Sequence, residues 1–174
     1  MFRRSATRKE GHADSIWTVA WGPSAHIVSG AVDGTVRRWE HDEGRAEEGE
    51  EVKSAETITH THSFEGHQLG VVSAAIHPGG NILATTCVDC RIRIYDLQEC
   101  TIKKEIDAGA VESWTASFSG LKPHLATGSQ RGAVNIFSYE TGEKLTSMET
   151  GGGFVMSVAY SPDGQHVAAG GNGG

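Results

Sequence analysis

A repeated unit, short alternating apolar runs and an excess of glycine together predict an all-β fold, the β-propeller. The hydroxyl residues Ser73, Thr115 and Ser157 mark equivalent points in successive units and stand 42 residues apart. Apolar residues alternate in short runs such as 16–21, and no window shows the 3.6-residue period of a helix. The chain has 23 glycines and only 4 prolines, which suits many tight turns. Units of this length with three or four strands each are typical of propeller blades.

The repeat divides the chain into a basic segment, 1–10, followed by four units at 11–64, 65–107, 108–149 and 150–174. The first unit is longer than the others, because Thr18 and Ser73 are 55 residues apart. We assign the surplus to an insert at 40–51, which holds seven acidic residues and one arginine. Such a composition cannot bury enough apolar surface to fold. We interpret the insert as a solvated loop before a strand at 57–64, with an acidic docking tail for a basic partner as the alternative.

Composition and charge argue against several classes of protein. The chain carries 15 lysines and arginines against 22 acidic residues, a net charge of -7. This balance disfavours broad binding of nucleic acid, which depends on neutralising phosphates. No apolar stretch approaches the ~20 residues of a membrane span. Three cysteines form too sparse a set for a disulfide framework, so we expect a reducing compartment, cytosol or nucleus.

Paired motifs at the ends of the units carry a family resemblance. The first unit opens with Gly11-His12 and closes with Trp39-Glu40, and the second opens with Gly66-His67 and closes with Tyr95-Asp96. These motifs resemble WD repeats. Further segments closely resemble the WD-repeat subunits shared by the superkiller complex and the RNA-polymerase-II-associated factor complex, and they lie at 65–73, 106–109, 125–128, 134–137 and 158–164.

The resemblance implies a structural hydrogen-bond network inside each blade. Its members in the first two units would be His12, Ser29, Asp33 and Trp39, then His67, Thr85, Asp89 and Tyr95, with Tyr95 replacing tryptophan. The third unit has Gly109 at the histidine position and Arg131 at the aspartate position, so we expect it to lack the network. Since the Ser/His/Asp set recurs and no Gly-x-Ser-x-Gly motif is present, we interpret it as scaffold and expect no catalytic residue.

Large apolar residues occupy a position where WD repeats commonly carry a small polar one. The four residues lie five positions after the histidine position of each unit and are Trp17, Val72, Trp114 and Met156. The resemblance places this position near the top mouth of the propeller, where the four would form an apolar arc that binds partner proteins. Gln130 and Arg131 are expected to supply its polar edge. The alternative is that each apolar residue packs against the neighbouring blade.

Three other patterns predict no ligand. Cys87-x-x-Cys90 has the spacing of zinc ligands, but no second pair follows. His60-x-His62 would place two imidazoles on one face of a strand without a third ligand at fixed spacing. The glycine runs at 151–153 and 170–174 lack the Lys-Ser/Thr of a phosphate loop. We therefore expect no metal, no cofactor and no small-molecule substrate.

The fourth unit stops half-way through a blade, so the sequence accounts for an incomplete propeller. It contains about three and a half of the seven four-stranded blades that the resemblance implies, and propellers need about four to eight blades to close. We expect the sequence to be a fragment or a truncated product. A soluble monomer of this length with a sharp cooperative melt would contradict that expectation.

The resemblance implies a non-catalytic adaptor. Its partners would be the tetratricopeptide scaffold and the helicase of the superkiller complex, which serves 3′-to-5′ messenger RNA decay in the cytoplasm. A second, nuclear pool would work in transcription elongation. The alternatives are an unrelated WD-repeat adaptor and a propeller-scaffold enzyme with a metal held by histidines. Direct RNA binding is disfavoured by the charge and by the lack of interleaved basic and aromatic residues.

Overall fold

The structure, a computed structural model, describes residues 11–23, 26–42, 57–110 and 113–172. The first sheet consists of β1 (Ile16–Trp21), β2 (His26–Ala31), β3 (Val36–Asp42) and β4 (Thr57–Phe64). The second consists of β5 (Val71–Ile76), β6 (Ile82–Cys87), β7 (Arg91–Asp96) and β8 (Thr101–Asp107). The third consists of β9 (Thr115–Phe118), β10 (His124–Gly128), β11 (Ala133–Ser138) and β12 (Lys144–Glu149), and the last of β13 (Val155–Tyr160) and β14 (Val167–Gly171).

Each sheet is antiparallel, with its strands side by side in chain order. The first strand of each sheet packs against the first strand of the next, so β1, β5, β9 and β13 form the inner row of the stack. Three four-stranded sheets and half of a fourth therefore stack like the blades of an incomplete β-propeller. The predicted all-β fold is confirmed. The described residues include no helix with the length and hydropathy of a transmembrane span.

Three separate apolar clusters fill the spaces between neighbouring sheets. The cluster between the first and second sheets includes Val28, Val36, Phe64, Val71, Leu83 and Tyr95. The cluster between the second and third includes Ala84, Ile92, Ile94, Phe118, Leu125 and Phe137. The last cluster, between the third sheet and β13–β14, includes Ala126, Val134, Ile136, Val155 and Val158. The core is thus divided among the interfaces between blades.

Serine and threonine hydroxyls also connect the sheets along the inner row. The backbone N–H of Ala74 donates to Thr18 Oγ1 at 2.9 Å, and the N–H of Ala116 donates to Ser73 Oγ at 3.2 Å. The N–H of Tyr160 makes a similar bond to Ser117 Oγ at 3.2 Å. Each bond links one blade to the next; Thr18 and Ser73 are equivalent in the repeat, whereas the third bond comes from Ser117, two residues after the equivalent Thr115.

The acidic insert begins later than the sequence predicted. Residues 40–42, assigned to the insert at 40–51, belong to β3, where Glu40 pairs with Thr59. Glu40 also accepts a hydrogen bond from Arg38 at 2.9 Å. Charged residues fit here because the side chain of Glu40 is exposed while its backbone pairs with the outer strand β4. The rest of the insert, at 43–51, the residues from there to β4 and the basic segment 1–10 lie outside the described residues.

Candidate functional site

The four apolar residues of the predicted arc lie at equivalent places, where each inner strand begins. In β1 the pairing jumps from Ile16–Ala31 to Thr18–Gly30, so Trp17 is the extra residue of a β-bulge. Val72 in β5 and Met156 in β13 occupy the same bulge. Trp114 lies directly before β9, with its N–H bonded to Gly128 O at 2.8 Å. A bulge redirects a side chain away from the pleat, which explains how large apolar residues are tolerated here.

We use the name top face for the surface formed by the beginnings of the inner strands and by the β2–β3, β6–β7 and β10–β11 turns. Its exposed apolar side chains include two that the sequence analysis did not single out. The exposed fractions are 51% for Trp17, 56% for Met156, 51% for Leu69 and 46% for Val88. Leu69 precedes β5 and Val88 lies in the β6–β7 turn. The sequence signal that could have identified Leu69 and Val88 is an apolar residue within a polar turn.

Trp114 is half-buried on the same face. Its ring lies edge-on to the ring of Phe154, with the centroids 5.0 Å apart, so it bridges the third sheet and the segment before β13. Trp114 therefore packs against the next blade and still reaches the surface.

A small pocket opens on the top face between the second and third sheets. Its volume is about 80 Å³, and its lining includes Val72, Cys87, Val88, Cys90, Trp114 and Gln130. Three predicted arc and edge residues thus share one pocket, whereas Trp17 and Met156 lie outside it. Arg131 follows Gln130 in the β10–β11 turn and is exposed.

A chain of hydrogen bonds runs through the first blade. Trp39 Nε1 donates to Ser29 Oγ at 2.8 Å, and Ser29 Oγ bonds to His12 Nε2. On the other side of the imidazole, His12 Nδ1 bonds to Thr35 Oγ1, which donates to Asp33 Oδ1 at 2.6 Å. Since the Asp33 carboxylate can only accept, it takes the Thr35 hydroxyl proton, and Thr35 must accept from His12 Nδ1–H. Burial lowers the pKa of His12, so the imidazole is neutral and its Nε2 accepts from Ser29. Thr35 therefore stands between the histidine and the aspartate.

The second blade contains a residue that the sequence analysis missed. Arg93, 4% exposed, places Nη1 2.8 Å from His67 Nδ1 and 2.8 Å from Asp89 Oδ2. Because arginine is only a donor, His67 Nδ1 must accept, and Nε2–H donates to Thr85 Oγ1 at 2.7 Å. Burial, and next the Arg93 charge, lower the pKa of His67 to about 4. His67 is held neutral.

Tyr95 reaches the same network through Thr85, whose side chain forms a hydrogen bond with the Tyr95 hydroxyl. Its hydroxyl donates to the backbone carbonyl of Glu65 at 3.0 Å, and burial raises its pKa to about 12. In the third blade, Gly109 and Arg131 stand at the histidine and aspartate positions. There the turn is closed by Ser129 Oγ, which accepts the backbone N–H groups of Arg131 and Ala133.

One group of possible metal ligands occurs among the described residues. Atoms of His67, Cys87 and Asp89 lie within 4.8 Å of one another. The Arg93 guanidinium, however, already lies within hydrogen-bond distance of both the histidine and the aspartate. A divalent cation would have to displace that positive charge or be repelled by it. The group is best described as an ion-paired core element.

The remaining nucleophilic groups are poorly placed for chemistry. Ser29 is buried and is already bonded to both Trp39 and His12. Burial raises the pKa of the Cys87 thiol to about 11, which keeps it protonated at neutral pH. His60 lies against Trp39 and His62 against Phe64, because a bulge in the β3–β4 pairing separates the two imidazoles.

Comparison with protein families decides the nature of the repeat. The family described as "WD domain, G-beta repeat" matches residues 4–40, 58–96 and 142–174, more than half of the chain. This chain belongs to the WD-repeat family. The unmatched stretch includes most of the third sheet, the WD repeat in which Gly109 and Arg131 replace the usual histidine and aspartate.

Two WD-repeat proteins match nearly the whole chain, and a third relative matches part of it. The chain is 31% identical to WD repeat-containing protein SL1-17 of Schistosoma mansoni, over 98% of this chain and 54% of that protein. It is 25% identical to WD repeat-containing protein VIP3 of Arabidopsis thaliana, over 93% of this chain and 52% of that protein. Superkiller complex protein 8 of Dictyostelium discoideum is 30% identical over 63% of this chain and 32% of its own length. The chain spans about half the length of the first two relatives.

Proposed function

We propose that this chain is part of a non-catalytic scaffold protein whose top face binds short segments of partner proteins. The observation that carries the proposal is the set of exposed apolar side chains on that face, Trp17, Leu69, Val88 and Met156, beside the half-buried Trp114. Clustered aromatic and apolar side chains with a polar rim are typical of protein-binding hot spots. WD-repeat proteins generally act as protein-interaction scaffolds, which agrees with this reading.

We further propose that the partners are subunits of the superkiller complex, its tetratricopeptide scaffold and its helicase, and that this complex serves messenger RNA decay in the cytoplasm. A second, nuclear pool would belong to the RNA-polymerase-II-associated factor complex. The sequence resemblance supports this assignment, as does the relative named Superkiller complex protein 8. Fractionation of cells that express the tagged chain tests both pools.

The experiment compares top-face variants with a matched tryptophan variant. Binding of the tetratricopeptide scaffold subunit from the source organism is measured by titration calorimetry. We expect Trp17→Ala and Trp114→Ala each to weaken binding about tenfold or more, because truncated hot-spot residues cost ~2 kcal/mol. Trp21→Ala is the control, since Trp21 lies on the same strand and is 64% exposed but at the opposite end.

Circular dichroism first establishes that each variant is folded. Met156→Lys tests the same surface without removing an indole, and it serves if a tryptophan variant fails to fold. Equal affinity in all variants, or an equal loss in Trp21→Ala, would contradict the proposal. Retention of the chain on single-stranded RNA, with no binding of the scaffold subunit, would favour the RNA-binding alternative instead.

A further inference from the structure

The β10–β11 turn of the top face carries an exposed charged side chain. The β2–β3 and β6–β7 turns have charged side chains at the equivalent position, but these are bonded within their own blades. At the equivalent position the first two blades have Asp33 and Asp89, and both carboxylates are used inside their blades. Asp33 accepts hydrogen bonds from Thr35 and from the Ala13 N–H, and Asp89 pairs with Arg93. Neither is available to a partner.

Arg131, at this position in the third blade, is exposed, and its guanidinium makes no bond to any of the residues that the structure describes. The third blade has no histidine that could contact Arg131, because Gly109 occupies the histidine position. Arg91, which follows the pocket residue Cys90, is already balanced, with Glu105 at 3.4 Å and Asp107 at 3.8 Å. Arg131 is thus the cation beside the pocket that can meet an anion of a partner.

The pocket next to this arginine limits the size of what it can hold. Gln130, the residue before Arg131, forms part of its wall together with Val72, Val88 and Trp114. The pocket is small, with a volume of about 80 Å³. Such a volume suits one aliphatic side chain better than an indole. Its largely apolar wall favours the same kind of group.

We propose that the pocket between the second and third sheets holds an aliphatic side chain of a partner peptide, and that Arg131 binds an Asp or Glu carboxylate within two residues of that side chain. The inference rests on the proposed function, which it deepens by giving the chemistry of the bound segment. A guanidinium at a pocket rim selects among partners through charge, while the apolar group supplies the buried contact.

A random peptide library displayed on phage and selected on this chain tests the proposal. Peptides enriched on the wild type should share an aliphatic residue with an acidic residue within two positions. Selection on Arg131→Glu should keep the aliphatic residue but replace the acidic residue by lysine or arginine. Arg131→Gln should keep the aliphatic residue with no preference for charge.

Affinities of one enriched peptide complete the test. Fluorescence anisotropy should show a loss of about tenfold for Arg131→Glu, and high salt should reduce that loss. Lys122→Glu is the matched control, because Lys122 is exposed in the β9–β10 turn at the opposite end of the sheet, and its reversal should not change the affinity.

The outcomes separate this inference from the proposed function. An aliphatic consensus with the same charge preference in the wild type and Arg131→Glu would overturn the role of Arg131 alone. A consensus that survives Trp114→Ala unchanged would overturn the pocket. No enriched peptide on any variant would count against the proposed function as well.

Discussion

Hydrogen-bond direction distinguishes the networks of the first two blades at the scale of single residues. In the first blade the Asp33 carboxylate takes the Thr35 hydroxyl proton, so His12 donates to Thr35 on Nδ1 and accepts from Ser29 on Nε2. In the second blade Arg93 donates to Nδ1, so His67 donates on Nε2 instead. The hydrogen bond between the histidine and the serine or threonine thus has opposite directions in the two blades. The direction is set by a group with a fixed hydrogen-bond role, which is the accepting Asp33 in the first blade and the donating Arg93 in the second.

The low pKa of His67 makes stability depend on pH. Its folded-state pKa of about 4 lies below the unfolded value of 6.5, so the unfolded state binds more protons between these values. Stability should be full above pH 6.5 and should decrease as the pH falls towards 4, by roughly 3 kcal/mol at most from this group. Urea denaturation at pH 7.5 and pH 4.5 measures it. His67→Gln should flatten the dependence, and an unchanged slope would contradict this assignment.

At the scale of the element, neighbouring sheets fit together because a small residue on one sheet faces a larger residue on the next. We call this pairing size exchange. A Cβ added to Gly30 would lie 2.6 Å from Val71 Cγ1, and one added to Gly128 would lie 2.7 Å from Val155 Cγ1. In the second sheet the equivalent residue is Thr86, and the equivalent of the two valines is the smaller Ser113. Both are buried, and Thr86 Oγ1 finds no hydrogen-bond partner among the described residues.

Two glycines at the same register position provide a matched test of this packing. Gly30→Ala should destabilise the chain by about 2 kcal/mol, because the new methyl group would overlap Val71 and overpacking costs ~1–3 kcal/mol. Gly170→Ala should change stability by less than ~1 kcal/mol, because nothing lies within 4 Å of its added Cβ. Chemical denaturation gives both values. The double variant Gly30→Ala with Val71→Ala should lose less than the sum of its two single variants.

If Gly30→Ala is as stable as the wild type, the two sheets must be able to separate without cost, and the proposed size exchange is wrong. If Gly170→Ala is equally damaging, the cost belongs to the strand and not to the interface between blades.

The stack of sheets distributes its stability unevenly over the whole molecule. Apolar clusters cover both faces of the second and third sheets, whereas, among the residues that the structure describes, the first sheet packs against a neighbour on one face. Its other face exposes Val19 by 62% and Trp21 by 64%. In repeat architectures each unit is stabilised mainly by its neighbours, so the middle of this chain should be the most stable part.

Hydrogen exchange tests that distribution. Amides of β6 and β7, whose sheet has a four-stranded sheet on each face, should exchange most slowly. Amides of β14, an edge strand whose residues are mostly exposed, should exchange fastest among the strands. Mass spectrometry of the chain in deuterated buffer gives the order, with β12 as a second exposed edge strand for comparison. Equal protection of β6 and β14 would show that the blades do not depend on their neighbours.

Most of the architecture could be predicted from the sequence, because it depends on local signals. Alternating apolar residues and tight turns fix each strand, and the strand at 57–64 has the predicted bounds. The insert could not be bounded, because strand pairing with β4 carries β3 through Asp42 whatever the charge of its side chains. On the top face, Leu69 and Val88 were missed, because an apolar residue in a turn gives no periodic signal.

By itself, the amino-acid sequence determined the repeat, the strands and the family, since these follow from patterns within about forty residues. Only the tertiary structure decided what the polar and apolar exceptions do. In the sequence Arg93 resembles any other charged residue of a strand, whereas the structure buries it between His67 and Asp89. The pocket beside Arg131 arises from residues of two sheets. Contacts between residues far apart in the chain depend on how blades stack, and no local pattern records that.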